Sequence, residues 1–396
     1  MTDYKKILIA HNGKIIFIIF FCWLSFLCSY YFLDHLIKAG NLEDGFKLGG
    51  DSDFYLRETR NIIDGNSSYF DTKSKFGYFI FLTPFLYFNI PLVWVVFFQT
   101  LVTGISAYAL YKITLLYFCE LSAIICLILF LFYFPIQIRN FYILTEMLFI
   151  DISILIVYFL AFFQKKFIPI ILFLFLFLFA LRPNGVLFVF SFFTCFFLYL
   201  FQKKKFSLIL ISTIGCLILI FPLINFLDAY LKELRLIDDI IKRGIIWGYS
   251  FEEKGICTSN CLSLDFINEG FSNSLVDFFY FTKVNFFNLS KIFFYKIFWL
   301  IARVRPYYSE LHNAYLMIFN VILYPSFIYG FFYRPKNNFS INVMLIFMLF
   351  SIILVGLTFA DWSGRFSLYF LPFVMIFSSF GIANFLKKLH SLKQKI

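Results

Sequence analysis

Residues 165–205 read KKFIPIILFLFLFLFALRPNGVLFVFSFFTCFFLYLFQKKK. Two apolar runs, Phe167–Leu181 and Gly185–Phe201, are bracketed by lysines and divided by Arg182-Pro183-Asn184-Gly185. A charge, a proline and a glycine in close succession mark a turn. A helix crossing a bilayer needs about 20 apolar residues, and about 17 at the shortest. The stretch therefore reads as two short crossing helices. The lysines stay on one side of the membrane and a single arginine turns on the other.

The same pattern extends in both directions. Further candidate spans are Ile15–Leu33, Pro91–Ile113, Leu121–Phe134, Glu146–Phe163, Ser207–Phe226, Ala314–Phe332, Ile341–Phe359 and Ser367–Leu386. The expected fold class is an all-α polytopic membrane protein with about ten transmembrane helices. The first span is too long and aromatic for a cleaved signal, and no small-residue cleavage site follows it. Composition agrees: 61% of the 396 residues are hydrophobic and 14% charged, against about 45–50% and about 25% in soluble domains. Too little polar surface is available to cover a water-soluble core. The excess of 34 Lys and Arg over 23 Asp and Glu gives a net charge of +11. No basic stripe on a soluble recognition fold accompanies it, so no nucleic-acid partner is expected.

The basic residues also orient the chain. With the N-terminus inside, the inner segments hold Lys5, Lys6, Lys14, Lys112, Lys165, Lys166, Lys203, Lys204, Lys205, Arg334 and Lys336. The tail, residues 387–396, adds Lys387, Lys388, Lys393 and Lys395. The outer turns carry single arginines, Arg139, Arg182 and Arg365. This is a positive-inside distribution. It makes Gly77–Phe88 a re-entrant or interfacial piece. Val276–Val304 carries Lys283, Lys291 and Lys296. Placing three lysines at bilayer depth costs roughly 8–10 kcal/mol, so this segment reads as an amphipathic helix on the outer surface.

Residues 1–396 thus form one integral membrane domain with two large outer loops, 34–89 and 228–313. Long loops in a compact protein are functional or disordered, and the aromatic and aliphatic content of these two favours packed function. Six of the eight cysteines, Cys22, Cys126 and Cys216 among them, lie in or beside spans and are expected to be buried small hydrophobes. Cys257 and Cys261 are four apart in the second loop. Two thiols are half a zinc site and no nearby histidine completes it, so a disulfide staple is expected and no metal centre.

The first loop contains Gly49-Gly50-Asp51-Ser52-Asp53-Phe54-Tyr55 and continues through Arg60-Asn61 to Gly65. Asp51 stands where an aspartate caps a helix. Tyr55, Leu56, Thr59 and Ile63 follow at helical spacing, and Gly65 ends the helix. From spacing alone this is equally a solvated capped helix.

The stretch resembles the first outer loop of the GT-C class of membrane glycosyltransferases, in particular the family 39-type enzymes related to protein mannosyltransferases and aminoarabinose transferases. Asp51 and Tyr55 match the family's aspartate and the tyrosine four positions on. Thr145-Glu146, Leu181-Arg182-Pro183-Asn184-Gly185 and Gly364-Arg365-Phe366 with Leu371-Pro372 resemble further family pieces in the same order. Ser52 replaces a second acidic residue, and Lys75-Phe76-Gly77-Tyr78 stands where the family has Lys-Pro-Pro.

The resemblance implies transfer of a sugar from a polyprenyl-phosphate donor to a glycan, lipid or protein acceptor at the outer face, among membrane lipids. It implies Asp51 as catalytic base, with Asp53 as the alternative carboxylate. Tyr55, Arg60, Arg182 and Arg365 would bind the donor and its phosphate. Glu146, at the interface or paired with Arg139, and His312 would play supporting parts. No resident cofactor is implied, and a divalent metal is left undecided. A lipid-linked polysaccharide polymerase and a lipid or sugar flippase are the competing classes. The charges gather at one face, Asp151 excepted, which counts against transport.

Overall fold

The computed structural model describes residues 2–37, 51–65, 75–204, 275–336, 338–357 and 364–393. Among these residues the chain is helical and contains no strand. In lipid a spanning segment must satisfy its own backbone, and a helix does so within one segment. In chain order the helices are α1 Thr2–Ile37, α2 Ser52–Ile63, α3 Phe76–Tyr87, α4 Val93–Tyr117, α5 Glu120–Phe132, α6 Phe134–Gln137, α7 Thr145–Ala161, α8 Ile168–Leu181 and α9 Gly185–Gln202. After residue 274 come α10 Leu275–Val284, α11 Phe286–Ala302, α12 Glu310–Phe332, α13 Phe339–Leu357, α14 Arg365–Leu368 and α15 Leu371–Lys393.

Among the described residues, five helices are long and apolar enough to cross a membrane: Gly13–Tyr30 within α1, α4, α9, α12 and α13. A sixth crossing would be α5 joined to Phe134–Phe141, which meet at 53°. The break falls at the extended Tyr133, two residues before Pro135, whose missing N–H and ring disfavour a continuous helix. The protein is therefore a helical membrane protein. Several expected spans are shorter as helices: α8 has 14 residues and α7 has 17. At 1.5 Å per residue these reach about 21 and 26 Å, short of the roughly 30 Å hydrocarbon core. The expected span Ser207–Phe226 lies outside the described residues, as do Cys216, Cys257 and Cys261.

The chain divides into two compact units. The first comprises Met1–Val189, Ile322–Ser340 and Leu371–Ile396. Here α5 packs against α4 and α15, α4 against α7, and α8 against both α7 and α3. Every residue from Leu144 to Ile154 is buried. A helix enclosed by protein needs no apolar collar toward lipid, and this is how α7 carries Glu146 and Asp151. Where Ile322–Phe332 of α12 meets α15, two glycines let the backbones touch. A Cβ on Gly330 would lie 2.1 Å from the Phe377 carbonyl oxygen, and one on Gly381 would lie 2.3 Å from that of Ser326. The Ser378 hydroxyl donates to the Leu323 carbonyl across the same seam, at 2.8 Å.

The second unit comprises Phe190–Val321 and Ile341–Phe370. Its α10 and α11 cover the segment expected to be a surface-lying amphipathic helix. Lys296 is 2% exposed, on one stripe with buried Ile292 and Leu300, while Phe287, Phe294 and Phe298 are exposed. Lys283 and Lys291 are exposed as well, so these helices turn aromatic rings and two lysines outward and one lysine inward. The cysteine reading also needs correction: Cys126 and Cys195 are buried, but Cys22 and Cys28 are exposed on α1. Among the described side chains of that helix, residues 13–30, the buried ones form the stripe Ile19, Trp23 and Leu27.

Candidate functional site

Helix α2 begins directly after Asp51, and the Tyr55 amide donates to the Asp51 carbonyl at 3.1 Å. Gly65, at φ +76°, lies just past its end. The expected cap is absent: Asp51 has φ −85° and ψ 6° and makes no side-chain capping hydrogen bond. Capping requires an extended backbone that swings the carboxylate onto the first free amides. At this ψ the carboxylate is not consumed by the helix end. The inward face of α2 carries Ser52, Tyr55, Leu56, Glu58 and Thr59, whereas Asp53 and Arg60 are exposed. Neither Asp53 nor Arg60 joins the buried side chains.

Helix α3 supplies two groups that the sequence reading did not place in the site. The Lys75 ammonium, immediately before α3, sits 5.1 Å from the Tyr55 ring centre and 5.3 Å from that of Phe54. This is within cation–π range. The Tyr78 ring meets the Tyr55 ring edge to face at 4.9 Å. Its hydroxyl donates to Gln99 Oε1 at 3.0 Å. Gln99 Nε2 in turn donates to the carbonyls of Tyr142 and Asn140, at 3.1 and 3.3 Å. Burial first, then the charges of Tyr55 and Glu146, push the Tyr78 phenol well above its ordinary range. Tyr78 is therefore a neutral donor at working pH. Gly77 permits this placement, because a Cβ there would lie 2.9 Å from the Ala180 carbonyl carbon. That close contact brings α3 against the end of α8.

At that end stands Arg182. A residue before proline is pushed out of the helical region, and Arg182 has φ −157° and ψ 147°. It ends α8 and reaches α7. Its Nη1 lies 2.9 Å from Glu146 Oε1 and donates to Thr145 Oγ1 at 3.0 Å. The expected Glu146–Arg139 pairing is thereby corrected: Glu146 pairs with Arg182. Both are buried, at 1% and 8% exposure. This pairing also tempers the expected phosphate role of Arg182, whose charge is already balanced by a carboxylate.

The second unit holds a different cluster. Arg303 closes α11 in the left-handed region at φ +57°. Its Nη2 donates to Asn320 Oδ1, and Asn320 Nδ2 donates to the Ala302 carbonyl. Arg305 Nη1 donates to the Trp299 and Val304 carbonyls at 2.9 and 2.8 Å. The Arg305 main chain exchanges two hydrogen bonds with the Asn313 amide. Arg303 and Arg305 are 2% and 1% exposed. Gly364, left-handed at φ +69°, packs beside both: a Cβ there would lie 3.9 Å from Arg303 Cβ and 4.0 Å from Arg305 Nη2. Arg365 follows Gly364 and opens α14, half-buried. Three arginines thus frame one glycine turn. His312 is half-buried and stacks on Tyr308 at 4.3 Å, with its amide on Ser309 Oγ.

Arg303 and Arg305 were missed because they sit at the edge of a segment judged by its lysines. The spacing Arg303-Val304-Arg305-Pro306 was the available signal. Comparison with known protein-family models, characterised proteins and solved structures returns no match for this chain.

Proposed function

We propose that this protein is a membrane glycosyltransferase. It moves a sugar from a polyprenyl-phosphate donor to an acceptor hydroxyl at the outer face of the cell's inner membrane. The observation that carries the reading is the linkage of four sequence pieces at one end of the first unit. Asp51-to-Gly65, Lys75-to-Tyr78, Thr145-Glu146 and Arg182-to-Gly185 meet through Lys75–Tyr55, Tyr55–Tyr78 and Glu146–Arg182 contacts. The Glu146 charge also reaches Tyr78. Asp51-to-Gly65, Thr145-Glu146 and Arg182-to-Gly185 are pieces whose order resembles the GT-C class, and Lys75-to-Tyr78 stands where that class has Lys-Pro-Pro.

In this reading the acceptor oxygen attacks the anomeric carbon and its proton passes to Asp51. The bond from that carbon to the phosphate oxygen breaks, and its electron pair leaves with the polyprenyl phosphate. Lys75, beside Tyr55, supplies positive charge that favours such a leaving anion. Glu146 and Arg182 hold Tyr78 and α3 in place. The proposed topology has about ten spans, with both ends cytoplasmic. The Lys387 ammonium lies 3.7 Å from Cys119 Sγ, which puts the basic tail and the α4–α5 turn at one end of the unit.

The test is transfer in membranes given labelled polyprenyl-phosphate sugars, at matched expression. Asp51→Asn should lower turnover about 10²–10⁴-fold, and Asp53→Asn, on the exposed face, should have little effect. Loss confined to Asp53→Asn would move the base to Asp53, and no loss in either would remove the main support for glycosyl transfer. The buried Asp151 favours one second reading, a lipid or sugar flippase. That reading requires donor movement across vesicles with no new glycosidic bond.

A further inference from the structure

One buried carboxylate takes no part in the scheme above. Asp151, on α7, is 0% exposed. Its Oδ2 lies 2.8 Å from Thr103 Oγ1, and its main-chain carbonyl accepts from Ser106 Oγ at 3.2 Å. Its Oδ1 has no hydrogen-bond partner among the described residues. The ion pairs of this unit's described residues, Arg57–Glu58 and Arg182–Glu146, do not include it. A carboxylate withdrawn from water without a compensating positive charge is strongly disfavoured. Ionisable residues inside membrane helices mark ion or proton sites for this reason.

The groups around Asp151 are short of positive charge as well. Thr103 Oγ1 has one proton and three acceptors in reach. These are the Gln99 carbonyl at 3.0 Å, Asn140 Oδ1 at 2.9 Å and Asp151 Oδ2 at 2.8 Å. The Asn140 amide is not free to turn its nitrogen toward Thr103. Its Nδ2 donates to Gln137 Oε1 at 3.3 Å. Gln137 is itself fixed by the Trp23 indole, which donates to Oε1 at 2.9 Å, and by its own Nε2, which donates to the Phe130 carbonyl at 2.9 Å. Three acceptor oxygens, one of them on the Asp151 carboxylate, therefore converge on a single hydroxyl proton.

We propose that Asp151, Thr103, Asn140 and the Gln99 carbonyl form a binding site for a small monovalent cation, with sodium the best match. The donors are all hard oxygens, the set that suits hard cations and not soft transition metals. Among the described residues no three His, Cys, Asp or Glu side chains gather, and the single carboxylate at Asp151 matches one positive charge. The ligands come from α4, from the turn after α6 and from α7. Gln99, which supplies a carbonyl here, also holds the Tyr78 hydroxyl. A bound cation would fasten three segments together beneath Tyr78. The inference does not rest on glycosyl transfer.

The experiment uses the full chain purified in detergent or nanodiscs. Its apparent Tm is followed while sodium replaces N-methylglucamine at constant ionic strength, at pH 6 and at pH 8. Above the dissociation constant the Tm should rise by about 2 °C per tenfold increase in sodium, more than with potassium. Asp151→Asn, which keeps the shape and removes the charge, should lose the sodium response. Should Asp151→Asn not accumulate, Thr103→Val decides, since it keeps the carboxylate and removes one ligand. Identical curves in sodium and N-methylglucamine would overturn the proposal, as would a sodium response that survives both substitutions. A Tm that falls between pH 6 and pH 8 equally in both salts would assign the missing charge to a proton and also overturn it.

Discussion

Replacing Arg182 by methionine keeps a long side chain at the end of α8 but removes the charge that faces Glu146. The Glu146 carboxylate is 1% exposed and its Oε1 lies 2.9 Å from Arg182 Nη1. Removing one partner of a buried pair leaves the other charged and unsolvated, at a cost of about 3–5 kcal/mol. At roughly 2–4 °C per kcal/mol the apparent Tm should fall by about 6–20 °C. Arg182→Lys keeps the charge but not the fork that also reaches Thr145, so its loss should be nearer 1–2 kcal/mol. The double variant Glu146→Gln with Arg182→Met removes both charges and should recover most of the loss. That recovery is the positive coupling expected of residues in direct contact. Thermal unfolding by intrinsic fluorescence in one detergent, with all four proteins, measures the cycle. If Arg182→Met unfolds within about 1 °C of the parent chain, or if the two single effects simply add, the pair does not hold α7 to α8. Arg182 would then be an interfacial arginine that reaches lipid phosphate.

The arginine group of the second unit should behave differently. Arg303→Lys and Arg305→Lys keep the charge and lose the planar fork, so both should lower the apparent Tm by loosening the contacts to Asn320 and to the Trp299 and Val304 carbonyls. An unchanged Tm in both would mean that these buried arginines do not clamp the end of α11. The topology is tested by reporter fusions at Ser259 and Lys395, which should report opposite sides, with Cys119 labelled by an impermeant maleimide only from the side of Lys395. Cys257 and Cys261 should resist alkylation until reduced, and ready labelling of both in unreduced membranes would remove the staple.

What the sequence made legible followed from local rules. The helix over Ser52–Ile63 was readable because apolar spacing and a terminal glycine fix α2 within a dozen residues. The turn at Arg182–Gly185 was readable because proline restricts its predecessor wherever it occurs. Pairings across the chain were not readable. Glu146 was matched to Arg139 because the two are near in sequence, yet the extended backbone at Arg182 carries a more distant guanidinium to it. Lys296 was counted as a surface charge because hydropathy weighs a residue without knowing which face its helix turns inward. In the sequence Tyr78 belongs to an apolar piece and to the stretch that stands where the family has Lys-Pro-Pro, and neither reading gives it a partner. Its place depends on α3 lying against α8, which in turn depends on Gly77 having no side chain. Asp51 was given a capping bond on residue type alone, and ψ decided otherwise.

The glycine contacts between α12 and α15 bear on how this chain tolerates being taken out of its membrane. Helices that meet through large side chains leave crevices where detergent can wedge, and they hold together in part because lipid surrounds them. At Gly330 and Gly381 main chain rests on main chain, leaving nothing for a surfactant tail to replace. In lipid such contacts are favoured by close packing and not by exclusion of water, so their strength does not depend on what the outer faces touch. The α12–α15 seam should therefore be among the last parts of the first unit to loosen during extraction. Its composition is correspondingly closed to drift, since even alanine at either glycine would have to push two backbones apart.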